Sequence, residues 1–306
     1  MMNRAIAVDL EAQRKQPVTQ ILRIDRHYQD LQKTNDVRTF YSERTRCEAI
    51  VNAICKVATK KKVQVISYDV FDTALIRECK SEARRFWDIS ERFIAQCRED
   101  GKSVAFKPED AFLARITAAR AAYSISRSIA GTREGRFEDI ARTTCDLLGC
   151  PELTTTYVAN ELAYEAGALM ANPILGMVAE ALPRTRAIFV SDMYLEGDNI
   201  THLLIGKFGP KVAGRVYSSA DGFGSKRNGG IFPHLEKTLR LTGEKILHVG
   251  DNLLSDYQMP KASGWNSFYL PLPDDEKQKR RDCYDAMKER FAESGIALEK
   301  YLHFNL

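Results

Sequence analysis

The chain has 306 residues, 44% of them hydrophobic and 28% charged, with 45 Lys and Arg against 41 Asp and Glu. That is the composition of a soluble globular protein with room for a substantial core, and it excludes collagen-like, disordered and small disulfide-stapled classes. A net charge of +4 is too small to indicate a nucleic-acid partner. No apolar run approaches the ~18 residues of a membrane span, and no apolar signal core opens the chain. Seven cysteines, an odd number with no C-x-x-C pair, predict reduced thiols and a cytoplasmic location.

Residues 1–62 read as a polar, helical N-terminal extension, with Ile50, Val51, Ile54 and Val57 at helical spacing. It holds 13 Lys and Arg against 7 Asp and Glu, so it exceeds the whole chain in net positive charge. A solvated face is the simpler reading, and a basic surface for a protein or membrane partner is the sharper one. The β-branched run over 63–69 predicts a buried strand, and similar runs follow at 187–191, 245–250 and 266–270, with a weaker one at 214–219. Helical stretches separate them, which predicts an α/β fold with a Rossmann-like parallel sheet. The first two strands are separated by more than 100 residues, far beyond an ordinary crossover, with helical periodicity and no strong strand signal. The expected organisation is an α/β core over 63–79 and 180–273, an inserted helical cap over 80–179, and a charged helical tail over 274–306 docking through Phe291, Leu298 and Tyr301.

Ligands of an open parallel sheet bind beyond the carboxyl ends of its strands. Those positions carry Asp69-Val70-Phe71-Asp72-Thr73, Ser191-Asp192-Met193-Tyr194 and Gly250-Asp251, with Asp256 shortly after, and Lys226 lies in a Gly-rich loop between the last two. Each group alone has a bland reading: a helix cap for Asp72 or Ser191, a surface amine for Lys226. Two acids at the tight turn after 250 suggest a hard-cation site. Together the set is far more specific than its parts.

These segments, YDVFDT, FVSD, the Lys226 loop and VGDNLLSD, resemble the motifs of the haloacid dehalogenase (HAD) superfamily. That family shows a strand ending D-x-x-x-T, a second ending in Ser or Thr, a distant Lys, and a fourth followed by GD-x-x-x-x-D. The match covers roughly 63–78 and 180–273. The resemblance implies a HAD-like core with a C1-type cap over the site. It implies an aspartyl-phosphate on Asp69, with Ser191 donating to a phosphoryl oxygen and Lys226 neutralising both partners. It implies Mg²⁺ on the Asp69 carboxylate, the Phe71 backbone carbonyl and Asp251, with Asp256 acting from behind. Thr73 would fix the loop, and Asp192 and Tyr194 could touch a small phosphorylated substrate, a sugar phosphate among the candidates.

One position departs from the pattern. Most phosphatases of the family carry an acid two residues after the nucleophile, and Phe71 stands there. A phenyl ring moves no proton, so Asp72 or Asp192 must replace the acid, or the leaving group must be acidic enough to need none, as in a phosphate or an acyl phosphate. An aromatic residue there also fits a metal-free haloacid dehalogenase, whereas the pair Asp251 and Asp256 favours phosphate chemistry. A catalytically weak HAD-fold binding protein is the third reading. Arg115, Arg120 and Arg127 of the expected cap could meet an anionic substrate, with surface positions the simpler expectation.

Overall fold

The computed structural model describes residues 26–210 and 215–304. Of the basic N-terminal segment expected to dock a partner, residues 1–25 lie outside that range, as does the start of the expected strand at 214–219.

Short helices Arg26–Gln32 (α1) and Val37–Ser42 (α2) lead into α3, Arg44–Lys60. Asp36 caps α2 by accepting from the backbone N–H groups of Arg38 and Thr39. Cys47, Ile50, Val51, Ile54 and Ala58 form the buried stripe of α3, which lies against α8 (Ile174–Ala181) on the core.

Five strands build the central sheet: β1 (Val65–Asp69), β6 (Arg186–Ser191), β7 (Arg215–Ser218), β8 (Ile246–Gly250) and β9 (Asn266–Tyr269). All pairings are parallel, in the order β7-β6-β1-β8-β9. β1 and β8 are buried along their whole length, as expected for strands covered on both faces. The connections between them include α9 (Gly197–Phe208), α10 (Ile231–Leu239) and α11 (Met259–Ala262). The reversal of strand order beside β1 places a crevice at the carboxyl ends of β1, β6 and β8. The fold is an α/β Rossmann-like core with inserted helices.

Four helices make the insertion: α4 (Glu82–Glu99), α5 (Pro108–Ile125), α6 (Phe137–Leu147) and α7 (Thr154–Ala168). They pack α4 on α5 and α7, and α6 on α5 and α7. Phe93 stands edge-on to Tyr157, and Phe112 lies beside Trp87. The two chain crossings between core and insertion pair with each other. Strand β2 (Leu75–Ile76) runs antiparallel to β5 (Met170–Ala171), and Asn172 locks the crossing by donating to the Thr73 carbonyl at 2.9 Å. A second ribbon, β3 (Ser128–Ile129) and β4 (Thr132–Arg133), was not expected from the sequence. Its turn residues Ala130 and Gly131 both have positive φ, 48° and 88°, and a non-glycine at the first position hides the usual hairpin signal.

The C-terminal helix α12 (Asp274–Ala292) is part of the body of the protein. Phe291 stacks on Phe112 with ring centres 4.7 Å apart, and it meets Trp87 edge-on. Leu298 is buried with it, whereas Tyr301 is exposed. No helix of the described residues is long and apolar enough to cross a membrane. All seven cysteines are free.

Candidate active site

A cavity of about 570 Å³ lies between the carboxyl edge of the sheet and the inserted helices. Asp69, Phe71, Asp72, Ser191, Asp192, Tyr194, Lys226, Asp251 and Asp256 all line it. Residues scattered from 69 to 256 in sequence thus meet on one surface. Thr73 sits beneath that surface, fully buried, and its hydroxyl donates to Asp251 at 3.3 Å.

Asp69 ends β1, and Lys226 reaches it from the loop between β7 and α10. The Lys226 ammonium donates to Asp69 and, at 2.6 Å, to Asp256. Burial works against this ammonium, but Asp256 and Asp69 outweigh burial and hold it protonated, above the ordinary lysine value. Burial raises the Asp69 carboxyl, with Lys226 opposing and Asp256 adding to the rise.

Asp256 lies in a π-helical turn, Leu253–Gln258, that bends it back over the end of β8. Its Oδ2 accepts from the Asn252 backbone at 2.9 Å, and its Oδ1 from His248 Nε2 at 3.1 Å and Ser255 Oγ at 3.3 Å. Since a carboxylate only accepts, His248 Nε2 carries the proton, and Nδ1 accepts from Ser67 Oγ at 2.8 Å. Asp256 would be raised by burial, yet Lys226 and His248 hold it well below the usual carboxylate range. Gly250 makes this approach possible: a Cβ there would lie 2.5 Å from the Asp256 carboxyl carbon.

Asp251 is different. Apart from the Thr73 hydroxyl, no lysine, arginine or histidine of the described residues forms an ion pair with it. Burial first, then Asp69, Asp256 and Asp72, push its carboxyl well up. One oxygen each of Asp69, Asp251 and Asp256 lie within 4.8 Å of one another. Because Asp256 is saturated by its own donors, Asp69 and Asp251 are the carboxylates free to hold a cation, with Asp256 behind them.

Three expected roles change. Asp72 does not stand ready as an acid. Its carboxylate is gripped by Arg280 of α12 through two bonds of 2.8 Å and accepts from the Arg77 backbone at 3.2 Å. Burial would raise it, but Arg280 and then Arg77 keep it ionised, well below the usual range. It holds a left-handed turn at φ 60°, which aspartate tolerates. Asp192 is occupied as well: its oxygens accept from the backbone N–H groups of Lys226 (2.8 Å) and Arg227 (2.9 Å), which pins the Lys226 loop beside β6. Tyr194 is buried and donates to Glu161 at 2.9 Å, so its hydroxyl is committed within the protein.

Arg115 was expected at the surface and is instead fully buried, paired two-fold with Glu161 at 2.8 and 3.0 Å and stacked on Phe86 and Tyr194. Arg77, Arg85 and Arg120 also line the cavity, and sequence reasoning passed over the first two. The inserted ribbon touches the Lys226 loop: Asn228 donates to the Ala130 carbonyl, and Arg227 pairs with Glu134 at 3.0 Å.

No protein-family model matches the chain, and no curated protein sequence matches it. Solved structures do. A haloacid dehalogenase-like family hydrolase from Xanthomonas campestris is similar at 12% identity, over 76% of this chain and 94% of that one, with a TM-score of 0.44. A 2-haloacid dehalogenase from Pseudomonas syringae is similar at 11% identity over 68% and 86%, TM-score 0.47. A HAD family enzyme from Bacteroides thetaiotaomicron, in complex with magnesium and inorganic phosphate, is similar at 10% identity over 69% and 95%, TM-score 0.43. At these identities the activities of those proteins do not transfer. The chain's own parallel sheet, its inserted helices and its four motifs at one sheet edge give it the haloacid dehalogenase-like fold.

Proposed function

We propose that the protein is a Mg²⁺-dependent phosphohydrolase or phosphotransferase that forms an aspartyl-phosphate on Asp69 and acts on a small phosphorylated metabolite. The observation that carries this reading is Asp251, a carboxylate beside the Asp69–Lys226–Asp256 cluster with no basic partner of its own. A half-buried acid left uncompensated is costly, and a divalent cation supplies the missing charge. Asp69, Asp251 and the Phe71 carbonyl would hold Mg²⁺, which when bound screens the negative charge of the phosphoryl group.

The chain's own groups do the rest. Asp69 attacks phosphorus, which exchanges one difficult displacement for two easier ones. Lys226 lies against Asp69 and offsets the repulsion between carboxylate and phosphoryl oxygens. Ser191 lies at the end of β6 on the cavity wall and would donate to a phosphoryl oxygen. Asp256 and His248 fix the ammonium rather than react.

The test is turnover of para-nitrophenyl phosphate. Wild type should act with Mg²⁺ and fall silent with EDTA, and Asp69→Asn should be inactive with an unchanged far-UV spectrum. Turnover of 2-chloropropionate in the presence of EDTA would instead establish the dehalogenase reading that Phe71 favours.

A further inference from the structure

The substitution at Phe71 poses a chemical problem that the cavity wall answers. None of the candidate acids is free: Asp72 is held by Arg280, and Asp192 by two backbone N–H groups. Lys226 is committed to Asp69 and Asp256. Outside the acidic cluster and the arginines, the other titratable side chains of the wall are Glu82, Tyr123, Tyr194, Tyr301 and His303. They belong to the inserted helices, the tail and the segment after β6, and none is hydrogen-bonded to the 69–73 loop.

What stands over Phe71 is a cation. The Arg77 guanidinium carbon lies 4.0 Å from the Phe71 ring centre. Its closest carboxylate oxygen, on Asp72, is 3.8 Å away and already committed to Arg280. Arg77 Nη2 meets only the Met193 sulfur, at 3.2 Å, and its buried Nε has no partner. Arg85, in the same wall, pairs with Glu165 at 3.2 Å and also has a buried Nε without a partner, as has the Nη1 of Arg115. Burial and the neighbouring Arg85 both press on the Arg77 charge, with less carboxylate nearby than would offset them. Of the three, Arg77 is the half-buried one, and a cavity-wall guanidinium with unfilled N–H capacity is a seat for an anion.

We propose that Arg77 takes the place of the missing proton donor, so that the leaving oxygen departs as an anion beside its guanidinium. The substrate class is then a phosphoric or acyl-phosphoric anhydride rather than an alkyl phosphate. This rests on the phosphoryl-transfer reading above. In the first step an Asp69 oxygen bonds to phosphorus while the bond from phosphorus to the leaving oxygen breaks. The electron pair stays on that oxygen, and no proton moves. A carboxylate or phosphate anion leaves. Water then bonds to phosphorus and the Asp69 carboxylate is released, the protons of water passing to inorganic phosphate and solvent. A preorganised cation at the leaving oxygen stabilises the departing anion without supplying a proton, which suffices where the leaving group is already a stable anion and a general acid is least needed.

The experiment is a leaving-group series with Mg²⁺: acetyl phosphate, para-nitrophenyl phosphate, phenyl phosphate and phenethyl phosphate. In wild type, kcat/KM should fall by about 10²- to 10⁴-fold from the first to the last. Arg77→Met should lower kcat on acetyl phosphate about 10²-fold with a smaller change in KM, and Arg77→Lys should recover part of it. Equal rates on acetyl and phenethyl phosphate, or an Arg77→Met kcat within threefold of wild type, overturn the proposal. If Arg77→Met does not fold, the wild-type series decides alone. If Mg²⁺ supports turnover of none of the four while 2-chloropropionate is consumed in EDTA, it is the phosphoryl-transfer reading that falls.

Discussion

Arg280→Met should destabilise the protein far more than an ion pair normally would, and it should change how stability responds to acid. Arg280 donates twice to Asp72 at 2.8 Å and once to Glu276 at 3.1 Å, and all three side chains are buried. An exposed pair contributes about 0–1 kcal/mol, whereas removing one partner of a buried pair leaves an uncompensated charge and costs about 3–5 kcal/mol. Here two carboxylates lose their partner, and Arg77 at 3.8 Å compensates Asp72 only in part. The expected loss is therefore at the upper end, about 4–5 kcal/mol. Methionine keeps the length and the apolar packing of the stem, so the loss is electrostatic. The assay is urea unfolding followed by far-UV circular dichroism, with Asp72→Asn and the double variant closing a cycle. The sign of the pH effect follows from the direction of the shift. Asp72 is held below its unfolded value, so its contribution is complete above about pH 5 and is lost as pH falls through the unfolded value near ~3.9 towards the folded one. In Arg280→Met that acid-dependent loss should shrink. A destabilisation below about 1 kcal/mol, or a coupling energy near zero in the cycle, refutes the reasoning.

Three more expectations follow from the site and its walls. Mg²⁺ at about 100 times its dissociation constant should stabilise wild type by about 2.7 kcal/mol in a thermal melt and leave Asp251→Asn unmoved, and equal shifts in the two would remove Asp251 from the metal site. Gly250→Ala places a methyl 2.5 Å from the Asp256 carboxyl carbon, so Asp256 must release Lys226 or β8 must move. Its kcat should drop more than tenfold, with a stability cost of about 1–3 kcal/mol by urea titration. Arg115→Met strands Glu161 in a fully buried setting and should cost about 3–5 kcal/mol, much of which Arg115→Met with Glu161→Leu should restore; an additive double variant would contradict this.

The part of the site that could be read from the sequence is the part that is local to single strand ends. Asp69, Ser191 and Asp251 each follow a short β-branched run, so position along the chain already implied position at the sheet edge. Lys226 followed once the loop before α10 was recognised by its glycines. The cavity wall could not be read this way, because its chemistry is made by pairs far apart in sequence. Arg115 looks like a surface arginine in an alanine-rich helix, and only the approach of α7 with Glu161 turns that face inward. Asp72 looks like a free acid three residues from Asp69, and its partner is 208 residues away on a helix that reads as a charged tail. A charged tail and a buried one have the same composition; what separates them is a single stripe, Arg280, Tyr284, Met287 and Phe291, in an otherwise polar helix. That stripe joins the two halves of the protein. Its arginine holds the turn that follows Asp69, and its phenylalanine stacks in the inserted helices. Any loosening of α12 must therefore free Asp72 and unseat the cap aromatics together, which is why a residue remote from the reacting atoms is the sharpest place to perturb this chain.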